Sequence, residues 1–272
     1  MLDTNIVHIG DAAQVLATFP DACIDLTVTS PPYDNLRTYK GYTFDFEAIA
    51  RQLYRVTKPG GVVVWVVGDA TINGSETGTS FRQALYFMEC GFNCETMIYQ
   101  KCSGATGNVA HYYLHCFEFM FVFSRGFPKT HNLLRDRKNA KRPQTVTWKQ
   151  GHRLKDGTKK PVRTYDLREY GIRYNIWNID ATNGIDRKLE HPAQFPEALA
   201  RDHILSWSNP GDIVLDPMAG SGTTLKMAQM LERKYIGIEI SAEYVNDIIK
   251  PRLAATDVPL PLFAKQDDPR QA

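Results

Sequence analysis

The sequence predicts an α/β fold organised around a mostly parallel sheet. Three observations carry that expectation: short apolar runs of strand character recur along the chain, helix-like stretches separate them, and one run closes on a glycine-rich turn that leads into a helix. The chain has 272 residues, 43% hydrophobic and 23% charged, enough to bury a core of one or two domains and too apolar for a disordered polymer.

Taken in order, residues 21–29 alternate towards a strand. Residues 53–68 run from a helix end through the breaker Lys58-Pro59-Gly60-Gly61 into a continuous apolar strand. Residues 73–79, with Gly74 and Gly78, read as a loop, and 117–124 as a further strand. Between 129 and 174 the rhythm breaks into glycine, proline and basic residues, the pattern of an inserted region or a long loop. Regular patterning returns with a strand at 213–216, a helix at 223–233 and a strand at 235–240, followed by a loosely held tail.

Charge is unevenly spread. The whole chain carries +2, yet residues 125–175 hold fifteen Lys or Arg against four Asp or Glu, so this segment is +11 and the remainder −9. Such a segment suits an acidic polymer as partner. The longest apolar stretch, Gly61 to Val67, falls far short of the roughly 20 residues of a membrane span. Met1-Leu2-Asp3-Thr4 lacks the basic region of a secretion signal, so a cytoplasmic protein is expected. The five cysteines, Cys23, Cys90, Cys94, Cys102 and Cys116, form no CxxC pair and suggest neither a disulfide framework nor a zinc site. His111 and His115 stand i, i+4 beside Cys116, but the aromatic run that follows leads into a strand, and no metal is expected.

Two segments concentrate the chemistry. In Asp216-Pro217-Met218-Ala219-Gly220-Ser221-Gly222-Thr223-Thr224, a strand end meets a turn whose glycines let the backbone approach a ligand, and a helix follows. Glu239, ending the next strand, is placed to accept hydrogen bonds from ribose hydroxyls. The GK[ST] ending of a phosphate-binding loop is absent. The second segment, Thr29-Ser30-Pro31-Pro32-Tyr33, closes the strand at 21–29 with a stiff turn bearing a hydroxyl and an aromatic ring.

Together these motifs resemble the S-adenosylmethionine-dependent DNA amino-methyltransferases of the beta arrangement, over roughly residues 5 to 250. In that family the catalytic tetrapeptide precedes the cofactor loop and a target-recognition region lies between them. Ser30-Pro31-Pro32-Tyr33 matches the tetrapeptide, whose first position is Asp, Asn or Ser, and residues 216–224 match the cofactor loop. Gly10-Asp11 resembles the segment that reaches the adenine, and His191 to Glu197, with Phe195, the segment beside the methionine part. Met218 departs from the family's usual phenylalanine, a soft apolar exchange that alters the cofactor pocket.

The resemblance implies a Rossmann-like methyltransferase fold with a mostly parallel central sheet and a small inserted target-recognition region. Residues 1–128 are then a catalytic part, 129–175 the basic recognition region, 176–257 the cofactor-binding part of the same domain, and 258–272 a tail. S-adenosyl-L-methionine is the implied cofactor, held by Asp11, Phe195, Asp216, Met218, Gly220, Ser221, Gly222, Thr223 and Glu239. Duplex DNA is the implied partner, its phosphates met by Arg135, Arg137, Lys138, Lys141, Arg142, Lys149 and Arg153. A cognate restriction endonuclease is a further partner open to such an enzyme, which would act as monomer or homodimer.

The chemistry explains the tetrapeptide. An exocyclic amino group is a poor nucleophile because its lone pair is delocalised into the ring, so its hydrogens must be held and its nitrogen aimed at an electrophilic methyl. The Ser30 hydroxyl and the Pro31 carbonyl are suited to accept those hydrogens, and Tyr33 to stack on an extruded base. In the resembling family the Ser form is associated with N4-cytosine enzymes and the Asp form is common among N6-adenine enzymes. N4-cytosine is therefore the expected target, with N6-adenine as the leading alternative and, behind it, methylation of RNA or of a protein glutamine, or a non-catalytic nucleic-acid-binding module.

Overall fold

A computed structural model of the chain describes residues 2–33, 44–101, 111, 113–139, 144–148, 157–158, 163–180 and 196–256. In chain order the first elements are β1 (Ile6–Ile9), α1 (Ala12–Ala17), β2 (Ile24–Thr29), α2 (Phe46–Val56) and β3 (Thr57–Val67). Next come β4 (Thr71–Ile72), β5 (Ser75–Glu76), α3 (Thr79–Glu89), β6 (Asn93–Lys101), β7 (Phe117–Ser124) and β8 (Arg137–Lys138). They continue with β9 (Gln144–Trp148), β10 (Arg163–Leu167), β11 (Tyr170–Gly171), β12 (Ile176–Ile179) and α4 (Glu197–Trp207). The series closes with β13 (Ile213–Asp216), α5 (Thr223–Met230), β14 (Lys234–Glu239), a π-helical stretch over Tyr244–Ile249, and α6 (Lys250–Ala254).

Eight of these strands form one sheet in the order β1-β14-β13-β2-β3-β7-β6-β12. Only β7 runs against its neighbours, β3 on one side and β6 on the other, so the sheet is mostly parallel. Strand β3 shows why both faces need cover. Its side chains alternate between two cores, with Val63, Trp65 and Val67 packed among residues of α1, α2 and α3, and Val62, Val64 and Val66 among residues of α4 and α5. Fully burying a side chain such as Leu16, Leu53 or Leu199 contributes about 1.5–3 kcal/mol. Helix α2 begins where Asp45 accepts the Ala48 amide at 3.0 Å, buries Ile49, Ala50, Leu53 and Val56, and ends at Thr57, whose backbone is extended.

Three local expectations are corrected. Residues 58–61 do not precede the strand but bulge within it: Ile24 pairs with Thr57, whereas Leu26 already pairs with Val62. Residues 73–79 include part of a hairpin, β4 with β5, because Asn73 and Gly74 both take positive φ (50° and 78°) and make a tight two-residue turn. The helix expected to reach residue 233 stops at Met230, since Glu232 adopts φ 64° and the Arg233 amide returns to the Ala228 carbonyl.

The described chain divides into two compact units, Met1–Asn132 with Asn175–Ala272, and Leu133–Tyr174. The smaller unit pairs β8 with β11 and β9 with β10, both antiparallel. Inside it, Arg173 forms an ion pair with Asp136 that holds this carboxyl below the usual carboxylate range. Among the described residues no helix is long and apolar enough to cross a membrane.

Candidate active site

The larger unit places both sequence motifs at the carboxyl ends of adjacent parallel strands. From β2 the sheet grows through β3 in one direction and through β13, β14 and β1 in the other, so the crevice outside β2 and β13 lies where the strand order reverses. Strand β2 delivers Ser30 there and β13 delivers Asp216. The two ends are tied directly: Thr29 Oγ1 donates to Asp216 Oδ1 at 2.7 Å, both residues buried, and Thr224 Oγ1 donates to the Val28 carbonyl at 3.0 Å.

Asp216 sits in the tightest environment of the group. Burial raises its carboxyl to about 6, opposed by donation from Thr29 and from the Met218 amide at 3.2 Å. Glu239, ending β14, is also raised by burial. Its oxygens accept the Gly220 amide at 2.8 Å and the Ser241 amide at 2.9 Å, and the Ile240 amide adds to them, all three favouring the charged form against burial. The neighbouring β1 ends at Ile9, and the amide of Gly10, next in the chain, bonds to the Glu239 carbonyl at 3.0 Å. Asp11 follows as the N-cap of α1, accepting the Gln14 amide at 3.0 Å. Asp11, Asp216, Met218, Gly220 and Glu239 are thus gathered along one edge of the sheet.

The turn itself depends on glycine. Gly220 has φ 52° and Gly222 φ 76°, left-handed values that side-chain-bearing residues resist, and a Cβ on Gly222 would lie 3.1 Å from an Ile249 methyl. Ser221 and Thr223 are buried, and their hydroxyls, 3.2 Å apart, both accept from Arg252 Nη1, at 3.2 and 3.1 Å. Arg252 also holds the Ser221 carbonyl at 2.9 Å and, through Nη2, Glu197 at 2.8 Å; Lys226 joins the same carboxylate at 2.6 Å. These hydroxyls therefore anchor the loop to α4 and α6. Phe195 lies outside the described residues.

At the other motif, Pro31 is buried, while Ser30, Pro32 and Tyr33 are half-buried. Ser30 Oγ lies 3.1 Å from the Tyr33 hydroxyl, which donates to Glu118 Oε2 at 2.9 Å; Glu118 Oε1 meets Lys101 Nζ at 2.5 Å. The Tyr33 ring packs beside Gly68, where an added Cβ would meet its edge at 3.5 Å, an ordinary van der Waals contact. Glu118 and Lys101 were not among the sequence-predicted residues. They come from β7 and β6, and only the antiparallel pairing of those strands brings them together. A cleft of about 500 Å³, lined in part by Phe44, Phe46, Gln83 and Tyr86, touches the tetrapeptide at Pro32 and reaches neither Asp216 nor Glu239.

Of the basic residues, Arg135 and Lys138 are exposed. Arg137 is engaged within its unit, donating to the Ile172 carbonyl at 3.0 Å and lying 4.7 Å above the Tyr174 ring. Lys141, Arg142, Lys149 and Arg153 lie outside the described residues.

The sequence profile of a family described as DNA methylase matches residues 24–250, most of the chain, and so spans both motifs. The chain belongs to the DNA methylase family. It is similar to the orphan methyltransferase M.BamHII of Bacillus amyloliquefaciens, 58% identical over 86% of this chain and 89% of that protein. It is also similar to the DNA adenine methyltransferase YhdJ of Escherichia coli, 30% identical over 89% of this chain and 80% of that protein. Among solved structures, a putative DNA modification methylase from Thermus thermophilus complexed with S-adenosyl-L-methionine aligns with TM-score 0.60 and 25% identity, covering 92% of this chain and 95% of that one. This methylase is accordingly an S-adenosyl-L-methionine-dependent, site-specific DNA methyltransferase acting on an amino nitrogen of cytosine or adenine. Its own residues suit the cofactor: the buried carboxylates of Asp216 and Glu239 end neighbouring strands, and acidic groups there would complement a ligand that carries a sulfonium and an ammonium.

Proposed function

We propose that this methylase modifies the N4 amino group of cytosine in duplex DNA, within a short sequence context. The observation that carries the reading is a serine at the head of the tetrapeptide, held beside Tyr33 at the end of β2, next to the strand that ends in Asp216. The bound cofactor supplies an electrophilic methyl on sulfur. The chain's part is to orient the nucleophile: Ser30 Oγ and the Pro31 carbonyl accept the amino hydrogens, and the Tyr33 ring supports a base swung out of the duplex. A hydroxyl is a weak base, so Ser30 positions rather than deprotonates, and the proton leaves to solvent. No cysteine nucleophile is required for direct transfer to nitrogen.

We assign Asp216 and Glu239 to the cofactor, Glu239 to its ribose, with the Gly220–Gly222 turn and the Asp11 segment around it. The region 129–175 is assigned to target recognition, with Arg135 and Lys138 exposed while internal bonds occupy Arg137. The relative M.BamHII is named an orphan methyltransferase; solitary action is proposed here too, with a cognate restriction endonuclease as the alternative that neighbouring genes would reveal.

The test is nucleoside mass spectrometry of unmethylated duplex DNA incubated with the protein and isotopically labelled cofactor, with Ser30→Ala as control. Labelled N4-methylcytosine that disappears in the control is the expected result. Labelled N6-methyladenine would keep the chemistry and overturn the base, adenine being the base in the name of the 30%-identical relative.

A further inference from the structure

A serine in the acceptor position faces a difficulty that an aspartate does not. Its hydroxyl carries a proton of its own, and pointing that proton at the amino nitrogen would occupy the lone pair that must attack. Something has to turn the proton away.

The structure provides a chain of partners that does so. Glu118 as a carboxylate can only accept, so the Tyr33 hydroxyl spends its single proton on Glu118 Oε2, at 2.9 Å. The Tyr33 oxygen can then act as an acceptor towards Ser30 Oγ at 3.1 Å, and the Ser30 proton is drawn towards Tyr33. Lys101 fixes the far oxygen of Glu118 at 2.5 Å, with both side chains largely shielded at 28% and 15% exposure. Bonds aligned in this sense reinforce one another and increase negative charge on Ser30 Oγ.

We infer that Glu118 is a positioning residue that, through the Tyr33 hydroxyl, commits the Ser30 proton away from the substrate and leaves Ser30 Oγ a pure hydrogen-bond acceptor. The inference rests on the proposed role of Ser30 as acceptor of the amino hydrogens. It supplies a reason for tyrosine, rather than an aromatic residue without a hydroxyl, at position 33.

The charge and direction of the chain can be reversed with little change of shape. In Glu118→Gln, Lys101 retains the amide oxygen and turns the NH2 group towards Tyr33, so Tyr33 donates to Ser30 and the Ser30 proton faces the substrate. In Tyr33→Phe the Ser30 hydroxyl is merely released. Single-turnover and steady-state methyl transfer to duplex DNA should therefore show Glu118→Gln losing about tenfold or more in kcat and Tyr33→Phe about threefold. The double variant should match Tyr33→Phe, so that the second substitution restores activity lost by the first. KM for DNA and cofactor affinity by calorimetry should stay within about twofold, which also verifies folding.

Losses that multiply in the double variant, or a Glu118→Gln enzyme indistinguishable from wild type, would overturn the inference. Ser30→Ala, run alongside, separates the two levels. Full activity in that variant removes the acceptor role and the inference with it; collapse in Ser30→Ala with no effect of Glu118→Gln removes the inference alone.

Discussion

Asp216→Asn should make the cofactor-free protein more stable at neutral pH, although it alters a residue at the centre of the site. The carboxyl is buried and raised from 3.8 to about 6, chiefly by desolvation. Below pH 4 folded and unfolded chains both carry the proton, and the variant and wild type should unfold alike. Between pH 4 and 6 the unfolded chain ionises while the folded one resists, so wild-type stability falls as pH rises; above about 6 the loss is constant. A shift of about two pH units corresponds to about 3 kcal/mol, which the variant should recover above pH 6 because Asn keeps the oxygen that accepts from Thr29 and Met218. Urea unfolding of both proteins at half-unit steps from about pH 4 to 8 measures the difference directly. A gap of the same size at every pH would refute the reasoning, because the gain would then come from packing and not from an ionisation cost. The same substitution should weaken the cofactor complex, whose positive groups draw on that charge.

Four further outcomes follow from the loop and the recognition region. Arg252→Met cuts the tie between Ser221, Thr223 and Glu197 and should cost about 2–3 kcal/mol in chemical denaturation, with cofactor affinity falling in parallel. Gly222→Ala forces a side chain into φ 76° against Ile249 and should destabilise by about 1–2 kcal/mol while weakening cofactor binding measured by calorimetry. Arg135→Ala and Lys138→Ala should each lower the slope of log affinity for DNA against log salt by about 0.9 without changing melting temperature. Arg137→Ala should instead lower the stability of its unit, because its guanidinium holds Ile172 and Tyr174.

The legible parts of the molecule were those whose signal is local. The strands ending at Asp216 and Ser124 and the helix starting at Thr223 are bounded by residues that either pair or break within a few positions, so composition and spacing sufficed. Glu232 shows where that fails: nothing adjacent marks it for a left-handed conformation, and the stop of α5 comes from bonds made by the folded chain, including the burial of Arg233 against Ser208. The site divides in the same way. Asp216 and Ser30 announce themselves by the motifs around them. Lys101 and Glu118 are ordinary strand residues in sequence, and their meeting depends on the pairing of β6 with β7. The hydroxyls of Ser221 and Thr223 sit in a ligand-like motif yet turn inward, because Arg252 lies 29 to 31 residues further along the chain and reaches back to them.

The bond between Thr29 and Asp216 joins residues 187 positions apart, in two strands that are side by side at the middle of the sheet. During synthesis, at about 5–20 residues per second, β2 waits roughly 10–40 s before the strand that covers its flank exists. For that interval a buried-type strand, with Ile24, Leu26 and Val28 all destined for the interior, presents an open edge to its surroundings. The arrangement that brings acceptor and cofactor loop together therefore makes a nascent or prematurely terminated chain an aggregation hazard, and any chain ending before Ile213 would lack the slot-filling strand altogether.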